Sequence, residues 1–201
     1  MNKKGLLFII SGPAGSGKGT IVARVRELAQ FDFSVSATTR PPRPTETDGV
    51  HYHFIDKADF ERKIAEGEML EYAQYIGNYY GTPRKPVEDA LESGRNIVLD
   101  IEVKGAMQVK EKMPEAVMIY ILPPDYKTLL ERIRGRGTET EQVIQKRMSE
   151  ARVEIETFPK YDYVVINDTV EAAAADVLSI LHTEKMRTFR NLDIKEKFFA
   201  E

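Results

Sequence analysis

The sequence predicts an α/β protein whose sheet is mostly parallel. Four short apolar runs lack polar alternation, helical patterns separate them, and a glycine-rich turn links the first run to the first helix. Strands of that composition are covered on both faces, which requires helices on either side of the sheet. Ligands of such a sheet gather beyond the carboxyl ends of its strands.

Leu6 to Ile10 is the first run and predicts a buried strand. It opens into Gly12-Pro13-Ala14-Gly15-Ser16-Gly17-Lys18-Gly19-Thr20, and a helical pattern follows over 18–29. Glycines let backbone N–H groups turn in around a polyphosphate, and Lys18 adds a mobile cation at the positive end of the helix. The loop implies a nucleoside triphosphate ligand. Gly19 stands where a magnesium-binding hydroxyl is expected; Thr20 carries the hydroxyl one residue later, about 100° further round the helix. Thr20 is therefore a displaced candidate for the metal, which is expected to keep several waters and lean on the nucleotide phosphates.

From Ser34 to Gly81 the text turns polar, aromatic and rich in turns, and Arg40-Pro41-Pro42-Arg43-Pro44 forbids regular helix. Asp56 predicts an N-cap, Phe60, Ile64 and Ala65 a short helix, and Met69 to Tyr80 a hairpin turning near Gly77-Asn78. This stretch reads as a small inserted lobe. The α/β rhythm then returns, with helices near 86–93, 103–112, 125–134 and 170–185 and strands at Ile97-Val98-Leu99, Val117 to Leu122 and Val164-Val165-Ile166. Arg132 to Thr157 predicts a hinged flap of two helices broken at Gly137-Thr138-Glu139-Thr140, and Lys185 to Glu201 reads as a charged tail.

At 201 residues the chain suffices for one domain with a substantial core. Its net charge of −3 excludes the dominant basic field that a nucleic-acid partner requires. With no cysteine there is no disulfide, thiolate metal site or thiol nucleophile, which suits a cytoplasmic location. Lys3-Lys4 and the next apolar run are too short for a signal peptide and lead straight into the phosphate loop, and no segment is apolar for long enough to cross a membrane.

Candidate chemistry clusters in three places. Arg40 and Arg43 are held by prolines that stiffen their loop, and guanidinium forks suit phosphate, although two arginines alone also describe a solvated turn. Asp100 and Glu102 alternate at the end of a buried strand and point to one side, where they can organise a hydrated Mg²⁺ or a ligand amine; the lesser alternative is a solvated strand end or a helix N-cap at Asp100. Arg132 and Arg136 lie one helical turn apart, whereas Arg147 and Arg152 differ by about 140° and need not meet one ligand atom. Asn167-Asp168 follows the last buried strand, where an Asn-Asp pair is also an ordinary turn.

Phe33-Ser34-Val35-Ser36-Ala37-Thr38-Thr39-Arg40-Pro41-Pro42-Arg43, Leu70-Glu71-Tyr72-Ala73, Gly77-Asn78-Tyr79-Tyr80-Gly81-Thr82-Pro83 and Arg136-Gly137-Thr138-Glu139-Thr140, behind the phosphate loop, resemble the signatures of guanylate kinases in that family's order. The resemblance covers nearly the whole chain. It implies a P-loop nucleoside monophosphate kinase fold with core 1–33, 83–131 and 158–201, a GMP-binding lobe 34–82 and a mobile lid 132–157. The implied activity is ATP-dependent phosphorylation of GMP, and of dGMP, with Mg²⁺, in a monomer or small homo-oligomer.

By the same resemblance Arg40, Arg43, Tyr52 and Tyr80 hold the GMP phosphate, and Ser36, Glu71 and Thr82 meet the guanine or its surroundings. Asp100 organises metal or water, Glu102 makes a second contact to the guanine amine, and Gly12 to Thr20 with Asn167 receive ATP. Lys18, Arg132, Arg136, Arg147 and Arg152 act on the transferred phosphate. Guanine offers N1–H and an amine side by side, so a carboxylate at Glu71 accepts both; adenine has an acceptor at N1 and no such amine. Related scaffolding modules keep the lobe and lose the phosphate loop, whereas Gly12, Gly15, Gly17 and Lys18 are all present here. A generic P-loop hydrolase gives no reason for the lobe, and a kinase of another phosphorylated small molecule gives none for Ser36, Glu71 and Tyr80 together.

Overall fold

The computed structural model describes residues 4–29, 31–75, 77–135 and 140–200. Its core sheet consists of β1 (Leu7–Ser11), β2 (Asp32–Phe33), β7 (Ile97–Asp100), β8 (Val117–Leu122) and β9 (Tyr163–Ile166), all parallel and ordered β2-β7-β1-β8-β9. In β1 every residue is buried, and successive side chains enter opposite layers. Phe8 and Ile10 pack with Ile21, Val22 and Val25 of α1 (Lys18–Leu28) and Val177 and Leu181 of α7 (Val170–Lys185). Leu7 and Ile9 pack with Val87 and Leu91 of α3 (Arg84–Glu92) and Ala106 and Val109 of α4 (Val103–Lys112). Helices on both faces explain why the strands carry apolar runs without alternation.

A second sheet, β4-β3-β6-β5, holds β3 (Ala37–Thr38), β4 (His53–Phe54), β5 (Met69–Tyr75) and β6 (Asn78–Pro83). The expected hairpin is β5 and β6, antiparallel with a register shift between Met69 and Glu71. The expected short helix is α2 (Lys57–Ala65), where Asp56 accepts the Asp59 N–H at 2.7 Å and buried Phe60 stacks on Tyr79. β3 and β4 were not foreseen: two-residue strands have no periodicity to read, and the pairing of β3 with β6 and of β4 with β3 creates them.

α5 (Tyr126–Arg134) and α6 (Glu141–Ile155) pack around a small core of their own made of Leu129, Ile133, Ile144, Met148 and Ala151. Asp125 and Thr140 cap them by accepting the Thr128 and Val143 N–H groups. Of the expected break, residues 137–139 lie outside the described residues, as does Arg136. The tail is more ordered than a charged segment suggests: a 3₁₀ turn at Thr188–Arg190 precedes α8 (Ile194–Phe199). Buried Glu184 fastens it, accepting from Tyr163 Oη (2.5 Å), Arg187 (3.2 Å) and Arg190 (3.1 Å). No helix among the described residues is long and apolar enough to cross a membrane.

Candidate active site

The glycine loop leaves β1 at Gly12, where any side chain would overlap the Ile121 carbonyl, and Gly15 and Gly17 take left-handed φ values of 92° and 84°. The Ser16 N–H closes the turn on Pro13 O at 3.0 Å. Gly17 precedes α1 and no side chain caps that helix, which leaves its first N–H groups for a ligand. Ala14, Gly19 and Thr20 are exposed.

Lys18 Nζ lies 2.6 Å from Asp100 Oδ1, 3.0 Å from Ile101 O and 3.8 Å from Glu102 Oε1. Burial pushes its ammonium down, and the charges of Asp100 and Glu102 more than reverse that, so its pKa stands above the ordinary value. Asp100 and Glu102 thus both reach Lys18 beside the loop, although β7 ends at Asp100 and Glu102 is the residue before α4, so the expected strand alternation is not what brings them together. Two carboxylates next to a phosphate nest fit a magnesium ion that keeps waters and takes phosphate oxygens. Among the described residues no group of three acids or histidines could hold a metal by itself. Thr20 lies elsewhere, on a concavity of about 290 Å³ shared with Gly15, Gly17, Arg132, Asn167, Asp168 and Val170.

Asn167 is buried at the end of β9, and its Nδ2 donates to Ser16 O at 2.7 Å. Arg132 NH1 donates to the same carbonyl at 3.3 Å and NH2 to Asn167 O at 2.9 Å. A Cβ on Gly17 would overlap Asn167 Nδ2. Asn167 Oδ1 is buried without a protein partner, and the residue lines the concavity. Arg132 thus lies against the phosphate loop through the Ser16 and Asn167 carbonyls.

Across from the loop, the Arg40 guanidinium lies 5.1 Å from the Tyr52 ring, and the Tyr52 and Tyr80 rings are 6.1 Å apart. Glu46 grips Arg40 by two bonds of 2.6 Å and also accepts the Arg43 N–H at 2.8 Å. Those hydrogen bonds hold the Glu46 carboxyl down at about 2. Sequence reasoning missed Glu46, whose only signal was an acid in a basic loop. Burial pushes the Tyr52 hydroxyl up; Asp100 adds to this, and Arg40 and Lys18 oppose it. Tyr52 therefore lies within electrostatic reach of both the phosphate loop and the arginine loop.

Glu71 is 5% exposed and Thr82 Oγ1 donates to its Oε1 at 2.7 Å. Burial raises its pKa, while the Thr82 bonds, Lys112 and Lys18 act the other way. Ser36 is half-buried, with its carbonyl accepting the His53 N–H at 2.8 Å. Arg43 is exposed.

The flap arginines separate. Arg147 is half-buried on α6, whereas Arg152 lines a groove between α5 and α6 with Tyr126, Leu130 and Arg134, away from the concavity holding Arg132. Arg134 pairs with Glu141 at 2.8 Å and faces solvent. Glu154 is a further residue that sequence reasoning missed. Burial first, then Glu102, push its carboxyl up to about 7, opposed by a bond from the Ala14 amide.

A lysine-bearing anion nest after the central strand of a parallel sheet, faced by a second sheet with an arginine loop and a buried acid, defines a P-loop nucleotide kinase. The family model for guanylate kinase matches residues 4–184. The chain is 48% identical over 203 residues to a guanylate kinase of Latilactobacillus sakei, with all of both chains covered. It is 50% identical over 192 residues to one of Halalkalibacterium halodurans, covering 95% of this chain and 94% of the relative. A guanylate kinase structure from Anaplasma phagocytophilum superposes with a TM-score of 0.79 at 32% identity, covering 99% of this chain and 98% of the other. The chain belongs to the guanylate kinase family.

Proposed function

We propose that this enzyme transfers the γ-phosphoryl group of ATP to GMP, giving ADP and GDP, with the residue roles set out below. The observation that carries the reading is the presence of two cationic clusters, the glycine loop with Lys18 2.6 Å from Asp100 and the lobe where Arg40 lies 5.1 Å from the Tyr52 ring and Tyr52 6.1 Å from Tyr80. Two anion sites suit two phosphates that must meet.

On the donor side, the amides from Gly12 to Thr20 and the Lys18 ammonium receive the ATP phosphates, and the concavity beside Asn167 receives the adenine. On the acceptor side, Arg40, Arg43, Tyr52 and Tyr80 hold the GMP phosphate while Glu71, supported by Thr82 and Ser36, accepts the guanine N1–H and amine. Glu102 is a second contact for that amine. Asp100, with Glu102, would hold Mg²⁺ through water, and the ion would supply charge neutralisation at the phosphates when bound.

An oxygen of the GMP phosphate forms the new bond to the γ-phosphorus as the bond to the β–γ bridging oxygen breaks, and ADP leaves with that electron pair. With a second pKa of about 6, the acceptor phosphate is largely dianionic at neutral pH and needs no general base. The obstacle is repulsion between anions, and fixed cations with in-line positioning lower it. Arg132, Arg136 and Arg147 of the flap contribute on the donor side, with Arg152 a more distant fourth. His51, His53 and His182 have no part.

A coupled assay of ADP release with GMP, AMP, CMP or UMP tests this directly. GMP alone is expected to support rapid turnover in the presence of Mg²⁺. Release independent of any acceptor, or equal turnover with AMP, overturns the reading.

A further inference from the structure

Helix α4 presents one stripe, Gly105, Gln108 and Lys112, along the edge strand β5, and the three residues meet Glu71, Tyr72 and Leu70. Spacings of three and four place them on a single helical face. Lys112 Nζ donates to Leu70 O at 2.5 Å. The Gln108 amide behaves as a missing strand: Nε2 donates to Tyr72 O at 2.8 Å and Oε1 accepts the Tyr72 N–H at 3.2 Å. An edge strand otherwise leaves such groups open.

Between these anchors the Glu71 carboxylate rests directly on Gly105. A methyl group at Gly105 would overlap Oε2 and lie 2.9 Å from Cδ and 3.4 Å from Cγ. The carboxylate has no free retreat, because it is 5% exposed and its other oxygen holds the Thr82 hydroxyl at 2.7 Å. Gly105 has no left-handed φ to require glycine, and it sits inside a helix, where alanine is ordinarily the more stable choice. Space for the carboxylate is the physical reason left for a glycine there.

We propose that Gly105 is a specificity-positioning residue: its missing side chain seats Glu71 in the register that reads the acceptor base, while Gln108 and Lys112 fix the strand that carries it. The proposal rests on Glu71 being the guanine reader. It joins core to lobe on the acceptor side alone, so it predicts a split between the two substrates.

The test is steady-state kinetics of the full chain as Gly105→Ala, Gln108→Leu and Glu71→Gln, with GMP and AMP as acceptors. Gly105→Ala is expected to raise KM for GMP about tenfold or more and to lower the GMP-to-AMP efficiency ratio, with KM for ATP within about twofold of the parent. Gln108→Leu should shift the same parameter in the same direction, which keeps the proposal testable should Gly105→Ala not fold. A shortened acid should tolerate the methyl, so Gly105→Ala should cost much less in a Glu71→Asp background than alone. An unchanged KM for GMP, equal rises in both KM values, or an additive double variant overturns the proposal. If Glu71→Gln itself leaves the GMP-to-AMP ratio unchanged, the base-reading role of Glu71 fails instead.

Discussion

Asn167 and Ser16 are 151 positions apart in the chain, yet Asn167 Nδ2 donates to Ser16 O at 2.7 Å within the buried floor of the phosphate loop. That bond fixes which way the amide faces. With Nδ2 engaged, Oδ1 is left buried without a protein partner, in a residue that lines the concavity beside the loop. Asn167→Leu removes both features and is expected to raise KM for ATP about tenfold, leaving KM for GMP little changed. Initial rates with each substrate varied in turn check the split, and an equal effect on both would refute it.

Lys18 is held in the opposite direction, toward Asp100 at 2.6 Å and Glu102 at 3.8 Å. In the proposed reaction, phosphate groups arriving in the nest would compete with those acids for the ammonium. Lys18→Ala is therefore expected to lower kcat by about 10²–10³-fold, as for the loss of one preorganised charge stabiliser. GMP binding, measured by calorimetry without ATP, should persist. Turnover near the parental rate would remove Lys18 from the chemistry.

Burial holds the Glu71 carboxyl above the ordinary carboxylate range. Base reading needs the ionised form, so KM for GMP should rise as pH falls through that raised pKa, and this dependence should be missing from Glu71→Gln. The stability consequence has the opposite sign. A carboxyl with a raised native pKa contributes its stabilisation below the unfolded pKa, near 4.3, and loses it as pH rises through the native value. Glu71→Gln should consequently resist urea at pH 8 at least as well as the parent while discriminating GMP from AMP about 10–100-fold less well. Parallel losses of stability and selectivity would contradict this.

Glu184 shows the reverse case. Burial raises its carboxyl, but bonds from Tyr163 and Arg190 and the charge of Arg187 prevail, and the net pKa is below the ordinary value. Its stabilisation is present above the unfolded pKa and is lost as pH falls through the native one. Glu184→Ala leaves Arg190 without its buried partner and is expected to cost about 3 kcal/mol at neutral pH. Urea titrations at pH 7 and at pH 4 would check it: the difference between variant and parent should be smaller at the lower pH.

Much of the fold was legible because its signals are local. The unalternating runs mark strands covered on both faces, and Asp56 and the glycine loop mark where helices begin. The hairpin of β5 and β6 could be read from Gly77-Asn78. β2, β3 and β4 could not, because strands of two residues exist through their partners and carry no pattern of their own. The tail likewise owes its turn to Glu184, an ordinary helical acid until Tyr163 and the two arginines converge on it.

By itself the sequence determined the glycine loop, its lysine, the arginine loop and the acid at Glu71, because each is carried by residues adjacent in the chain or by motifs in a fixed order. Tertiary structure decided how those pieces are held. Asn167 on Ser16, Glu46 across Arg40 and Gly105 beneath Glu71 are contacts made by closing the chain on itself. Hydrogen-bond direction and steric contact act over a few ångströms of space, and separation along the sequence does not encode them.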